Sequence, residues 1–289
     1  MNSTLTRIAP TPSGYLHLGN AFSFLLTKAI AQKTGAKILL RIDDLDRERY
    51  RSEYVEDIFE TLDFLEIPID QGPQNLKEFE AEWSQVHRMD QYQAALDQLK
   101  NQQKLFACTC SRKKISQMNS SGYYLGHCLD RKIKLDRPEA TWRINTLDAE
   151  LIPLSTYSGQ KKWEVIPEDV SFFIVRKKDG LPAYQLTSLI DDLHFGVDLI
   201  VRGQDLYSSS IAQSFLADSL QEDDFESIRF FHHPILKGSG KQKLSKSEGA
   251  TSLQYLRKSG KKLPEIYQMI GEMCGQPIHS FEDFTSLIP

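Results

Sequence analysis

The feature that most restricts this chain is an alternation of short apolar runs with longer segments of helical period, each change marked by turn residues. The run from Leu5 to Ala9 stops at Pro10-Thr11-Pro12-Ser13-Gly14, and an apolar period near that of a helix follows from about Gly19 to Lys33. Lys37 to Ile42 reads as a buried strand with Asp43, Asp44 and Asp46 at its carboxyl end, and a helix is expected from about Ser52 to Leu65. Strands and helices of these lengths, in alternation, predict an α/β fold with a parallel sheet and right-handed crossovers. Ligands bind beyond the carboxyl ends of strands in such sheets, so the turn before Gly19 and the aspartates after Ile42 are the places to look for chemistry.

Further along, Phe79, Trp83, Val86, Tyr92, Leu96 and Leu99 recur at helical spacing and predict one helix over 79–103. Between Cys108 and Arg137 the chain turns polar and basic, with Gly and Ser, and reads as an inserted module held by something other than an apolar core. Strand-rich sequence runs on to about Lys177. The alternation then resumes with Tyr184 to Ile190, Val197 to Val201 and Ser208 to Leu220. At 289 residues, 40% hydrophobic and 26% charged, the chain has the composition of a globular enzyme rather than of a disordered or fibrous protein. Its start lacks a basic leader and no window approaches the roughly 18 apolar residues of a membrane span, so a cytoplasmic protein is expected.

The net charge of −4 excludes a general attraction to nucleic acid, which would have to come from a local patch. Two patches are candidates: Arg112, Lys113, Lys114, Arg131, Lys132, Lys134 and Arg137, and then Arg257, Lys258, Lys261 and Lys262. Three of the four cysteines, Cys108, Cys110 and Cys128, fall close together, and in a cytosolic chain that spacing points to a structural metal such as Zn2+ rather than a disulfide. On chemistry alone His127 is the candidate fourth ligand, although residues adjacent in sequence seldom reach one tetrahedral ion together. Cys274 is expected to be plain core.

Two segments carry phosphate chemistry. His17-Leu18-Gly19-Asn20 falls at the first turn of the first helix, where unpaired N–H groups and the helix dipole favour an anion and Gly19 allows close approach. A solvated turn would need similar residues. Gly238 to Ser247 sets Lys241, Lys243 and Lys246 among serines and glycines, a composition suited to clamping the charge that builds on a transferring phosphorus.

His17-x-Gly19-Asn20 at the first turn, with Lys243-Leu244-Ser245-Lys246-Ser247 far downstream, resembles the paired signatures of class I aminoacyl-tRNA synthetases. Arg7 to Gly14, Arg41 to Asp46, Asp179 to Tyr184 and Val201-Arg202-Gly203 sharpen the resemblance to the glutamyl branch, over residues 5 to about 255. It implies a Rossmann-like parallel-sheet catalytic domain formed by 1–107 and 138–250, a small zinc-binding insertion at 108–137 and a short helical C-terminal segment at 251–289. It also implies ATP with Mg2+, L-glutamate and a tRNA as partners. Catalysis would fall to His17, Lys243 and Lys246, with His17, Gly19, Asn20 and Lys246 on ATP. Arg7, Ala9, Thr11, Asp43, Tyr184 and Arg202 would hold the amino acid. An arginine forks onto a carboxylate, so Arg202 should disfavour glutamine by about 2 kcal/mol or more. Asp43 would take the substrate ammonium, an aspartate here being similar to the glutaminyl and archaeal-type glutamyl enzymes.

The resemblance names Tyr124 as the fourth metal ligand, from the Cys-x-Cys, Tyr-x3-Cys pattern of short members of the family. Only 42 residues follow Ser247, too few for an anticodon-binding domain. Together these features are similar to a bacterial branch that attaches glutamate to queuosine in the anticodon of tRNA(Asp). Charging of a tRNA 3′ end, and a non-catalytic RNA- or nucleotide-binding paralogue, are the alternatives.

Overall fold

The computed structural model describes residues 3–236 and 252–289. In chain order they form β1 (Leu5–Ile8), α1 (Leu18–Thr34), β2 (Lys37–Leu40), α2 (Ser52–Phe64), α3 (Leu76–Glu78), α4 (Met89–Asn101), β3 (Leu105–Cys108), α5 (Arg112–Met118) and β4 (Thr141–Ile144). Then come β5 (Ile152–Thr156), β6 (Lys161–Glu164), β7 (Ile174–Arg176), α6 (Tyr184–His194), β8 (Leu199–Gly203), α7 (Tyr207–Leu220), β9 (Arg229–His233), α8 (Leu253–Lys258) and α9 (Leu263–Cys274). The chain divides into two compact units. The first holds Met1–His87, Val197–Gln204 and Phe231–Pro289; the second holds Arg88–Gly196 and Asp205–Phe230.

In the first unit β1 pairs in parallel with β2, Leu5 opposite Lys37 through Ile8 opposite Leu40, and with β8 at Thr6 and Leu199. All four residues of β1 are buried, as expected of a strand covered on both faces. The helix between β1 and β2 is buried nearly all round, through Leu18, Ala21, Phe22, Leu25, Leu26, Ala29 and Ile30, because β1 and β8 cover one side and α9 with the turn Glu282–Leu287 cover another. Gly35 ends it at φ 76°, a left-handed cap that suits glycine.

The second unit packs α4, α6 and α7 together through residues such as Tyr92, Leu96, Leu99, Leu186, Leu189, Ile211 and Leu216, all buried. Here the sheet prediction needs correction. Alongside the parallel pairing of β5 with residues 229 and 230, β5 and β6 form an antiparallel hairpin, and β3, β4 and β7 make a separate antiparallel sheet. Tight turns such as the one at Gly159, φ 82°, suffice for a hairpin, whereas parallel pairing needs a crossover. Asp191 is fully buried and accepts from Arg88 Nε and Nη2 at 2.7 and 3.0 Å and from the Tyr92 hydroxyl at 2.5 Å, which closes the helix pack around a neutralised pair.

The single helix expected over 79–103 is broken. A π-helical turn, Phe79–Trp83, ends at Ser84, whose ψ of 142° is extended, and α4 begins only at Met89. The cause lies in the first unit, where the buried carboxylate of Asp44 accepts from Ser84 Oγ at 2.6 Å and from the Gln85 N–H at 2.8 Å. A local helical bond is thereby exchanged for two bonds to a charged acceptor, which periodicity cannot register. Among the described residues no helix is long and apolar enough to cross a membrane.

Asp44→Ala leaves Ser84, Gln85 and Arg47, which donates to the same carboxylate at 2.6 Å, without their acceptor. We expect a loss of about 3 kcal/mol in denaturant unfolding. A loss under about 0.5 kcal/mol, the usual size for a surface change, would show that the break at Ser84 has another origin.

Candidate functional site

At the carboxyl ends of β1 and β8 the first unit gathers buried charge. Arg7, on β1, is 5% exposed and donates from Nη1 to the carbonyl of Val201 at 3.3 Å. Arg202, next along β8, is 3% exposed. The chain that leaves β2 is bound to the turn after β1, since the Arg41 N–H donates to Ile8 O and the Asp43 N–H to Pro10 O, both at 2.9 Å. That ladder sets Asp43 beside the Ala9 to Thr11 turn, in which Ser13 N donates to Thr11 O.

Asp43 has a partner that sequence reasoning missed. Arg41 grips its carboxylate with two bonds, Nε to Oδ1 at 2.7 Å and Nη2 to Oδ2 at 3.0 Å, and both side chains are buried. The signal was present as Arg-x-Asp on one face of an extended segment. A bidentate guanidinium uses about half of a carboxylate's four acceptor positions and fixes the plane of the group.

His17 caps α1. Its Nδ1 accepts the Gly19 N–H at 3.1 Å while its own N–H donates to Asn20 Oδ1 at 3.0 Å, a reciprocal capping box. With Nδ1 engaged as an acceptor, the neutral ring carries its proton on Nε2, the nitrogen left for a ligand. The ring reaches the surface, yet desolvation by the surrounding protein lowers its pKa from the ordinary value. Gly19 suits this arrangement, because a Cβ there would sit 3.0 Å from Cε1 and 3.1 Å from Nδ1 of His17 and would press the ring out of place by a few tenths of an ångström.

Past the segment that contains Lys243 and Lys246, which lies outside the described residues, the chain returns to this same turn. Ser252 bridges to His17, and the Leu253 N–H donates to Leu16 O at 2.7 Å. The first unit thus contains Arg7, Ala9, Thr11, His17, Gly19, Asn20, Asp43 and Arg202 at one edge of its strands. Tyr184 belongs to the second unit, where it is 41% exposed in the first turn of α6.

The cysteine cluster is also in the second unit. The sulfurs of Cys108, Cys110 and Cys128 lie within 4.8 Å of one another, and those of Cys110 and Cys128 are 3.6 Å apart. Zinc–sulfur bonds of about 2.3 Å place tetrahedral sulfurs about 3.8 Å apart, so the spacing fits. Among the described residues no histidine or carboxylate joins the three sulfurs at that range. Tyr124 does approach, its hydroxyl accepting the Cys128 N–H at 2.8 Å and bonding to Cys108. Nδ1 of His127 is buried without a hydrogen-bond partner. Burial pushes the Cys108 thiol up, but the Cys110 N–H, the Tyr124 hydroxyl and the Arg143 guanidinium outweigh it and hold the pKa at about 7. Burial, the bond to Cys128 and the neighbouring sulfur charge push Cys110 up to about 11. The expected module has a small core after all, of Phe106, the three cysteines, Ile115, Tyr124 and Phe172. Cys274, by contrast, is only part-buried.

Of the two basic patches, the second is partly neutralised. Arg257 is paired with Asp57 and Glu60 of α2, and Lys261 with Glu265 at 2.7 Å. All seven basic residues between Arg112 and Arg137 are exposed, and among the described residues none makes an ion pair.

The model of tRNA synthetases class I (E and Q), catalytic domain, matches residues 3–140 and 160–286. The chain belongs to this family. Glutamate–tRNA ligase 2 of Syntrophus aciditrophicus is 29% identical over 302 residues, 99% of this chain and 61% of that protein. Glutamyl-Q tRNA(Asp) synthetase of Deinococcus radiodurans is 33% identical over 264 residues, 88% of this chain and 83% of that one. The glutamate-tRNA synthetase structure from Elizabethkingia anophelis superposes with a TM-score of 0.75 at 22% identity, covering all of this chain and 66% of that one, which establishes the class I synthetase fold. The chain spans about three fifths of the length of the first glutamate–tRNA ligases it matches.

Protonation would remove the acceptor that holds Gly19. Because the native pKa of His17 is lowered from 6.5, the unfolded chain takes up its proton first as pH falls, so this contribution to stability is complete above 6.5 and is lost between 6.5 and the native value. NMR titration of the imidazole should give a pKa below 6.5, and His17→Asn, which can cap without titrating, should lose that part of the pH dependence of unfolding. A His17 pKa at or above 6.5 would contradict the neutral cap.

Proposed function

We propose that this chain activates L-glutamate with ATP, forming glutamyl-adenylate and pyrophosphate, and passes the glutamyl group to an RNA hydroxyl, that of queuosine in the anticodon of tRNA(Asp). The observation that carries the first step is the head of α1, where a neutral His17 is oriented by Gly19 and Asn20 at a helix N-terminus, in the same unit as buried Arg7 and Arg202. In the reaction an oxygen of the α-carboxylate attacks the α-phosphorus in line, and the bond from that phosphorus to the bridging oxygen breaks to release pyrophosphate. Mg2+, when bound, neutralises phosphate charge. His17 Nε2–H and the positive end of the α1 dipole meet the phosphates, and the arginines meet the side-chain carboxylate while Asp43 accepts from the ammonium. The acceptor hydroxyl then attacks the carbonyl carbon, AMP leaves with the bonding electrons, and the hydroxyl proton passes to solvent or to the leaving phosphate.

The acceptor reading is supported by two features of the second unit, the Cys108, Cys110, Tyr124, Cys128 cluster and the unpaired basic surface that it carries. The similarity to a glutamyl-Q tRNA(Asp) synthetase over most of both chains supports it as well. Residues 112–137 hold seven Lys or Arg against Asp130 and Asp136, an excess of positive charge on a chain of net charge −4. Such a surface grips phosphates while the bases of an anticodon loop remain free to be splayed and read. Zinc held by the three cysteines and Tyr124 would order this module rather than take part in the chemistry. Relatives named glutamate–tRNA ligase favour a second reading, transfer to a tRNA 3′ end.

Pyrophosphate exchange should depend on L-glutamate and not on added tRNA, with glutamine a poor substitute. Equal exchange with glutamine would remove the assignment of Arg7 and Arg202. Radiolabelled glutamate should then transfer to tRNA(Asp) only from cells that make queuosine, and transfer should survive removal of the 3′ adenosine. Label that requires that adenosine would establish the second reading instead.

Metal analysis should give about one zinc per chain, retained by His127→Ala and weakened by Tyr124→Phe. The opposite order would transfer the fourth position to His127.

A further inference from the structure

We infer that Arg143 is the counter-charge of the cysteine cluster, a positioning residue whose guanidinium stabilises the cluster most when that cluster carries the full negative charge of its thiolates around bound metal. The inference rests on the zinc reading given above. Arg143, on β4, is 7% exposed. Its guanidinium lies 3.8 Å from the centre of the Tyr124 ring, over its face, and reaches the Cys108 sulfur. Nη1 donates to the carbonyl of Phe172 at 2.8 Å, while Nε is buried with no hydrogen-bond partner. Among the described residues Arg143 has no carboxylate partner.

A buried arginine without a carboxylate is an expensive residue, and methionine or leucine would fill the same space beside Phe106, Tyr124 and Phe172 at lower cost. Its presence makes sense if the neighbouring group is itself anionic. Three thiolates and a phenolate around a divalent ion carry two net negative charges, enclosed among aromatic rings where water cannot screen them. Arg143 compensates this in two ways, through its charge beside Cys108 and through the cation–π contact, which strengthens as the phenol oxygen takes on negative character. In the metal-free protein the cluster carries less negative charge, and the same buried guanidinium, with no carboxylate partner among the described residues, has less to offset its own desolvation. Metal and Arg143 are therefore expected to stabilise each other, a reciprocity that a purely packing role would not produce.

The test is a cycle in four measurements, the thermal unfolding of wild type and of Arg143→Met, each zinc-loaded and each stripped by chelator, with zinc affinity read by competition with a chromogenic chelator. The expected result is that Arg143→Met lowers Tm of the zinc-loaded protein more than that of the stripped protein, and binds zinc at least about tenfold more weakly, as loss of an outer-shell partner does. Arg143→Lys, which keeps the charge but loses the planar stack, should fall between the two. Equal loss of Tm in both forms with unchanged zinc affinity would overturn the inference and leave Arg143 a packing residue. If Arg143→Met does not fold, Arg143→Lys carries the comparison, and unchanged zinc affinity together with equal destabilisation in both forms overturns it likewise. Wild-type protein that neither contains zinc nor changes Tm on stripping and reloading would overturn the zinc reading, and this inference with it.

Discussion

The parallel pairing of β1 with β2 and β8 is the constraint on which the first unit depends. Parallel neighbours end at the same edge, so Arg7, Arg202 and the Asp43 that follows β2 reach that edge without any contact between them having to be selected. The backbone bonds from Arg41 to Ile8 and from Asp43 to Pro10 extend the pairing two residues beyond the strands as regular elements. They bring the aspartate to the turn that leads to His17. Charged groups buried at such an edge are tolerable because Arg41 neutralises Asp43 with two short bonds, and that pair also fixes which way the aspartate points.

At the start of α1 the same economy recurs. The imidazole that would face a phosphate also caps the helix, so its tautomer, its orientation and the stability of the helix end are a single property of residues 17 to 20. Leu253 and Ser252 pair with the same turn from the far end of the sequence.

Elements with a strong period were legible in the sequence: β1, α1, β2 and α2 lie within a few residues of where alternation and turn residues place them. The long helix expected over 79–103 was not, because its break at Ser84 is imposed by a carboxylate 40 positions earlier. Antiparallel pairing of β3, β4 and β7 was equally hidden, since short strands of similar composition do not disclose their partners. In the candidate site the residue types could be read from the chain but not their couplings. Arg41 drew no notice beside Asp43, Arg257 resembled a free cation until α8 brought it to Asp57 and Glu60, and the cysteine module revealed its aromatic core only in three dimensions.

The division of the chain bears on the order in which it can fold during synthesis. The second unit has all its residues once Phe230 has been made, and its pack of α4, α6 and α7 can close then. The first unit begins earlier and finishes last. Its central helix α1, apolar around most of its circumference, is covered by α9 and by the turn Glu282–Leu287, which are made long after it. Until those segments are made a seventeen-residue apolar helix therefore waits without its cover, and the nascent chain presents it to whatever else can bind an exposed apolar surface. A unit whose keystone is α1 and whose lid is α9 with Glu282–Leu287 closes only once that lid has been made, so a truncation ahead of the lid exposes the oldest part of the fold.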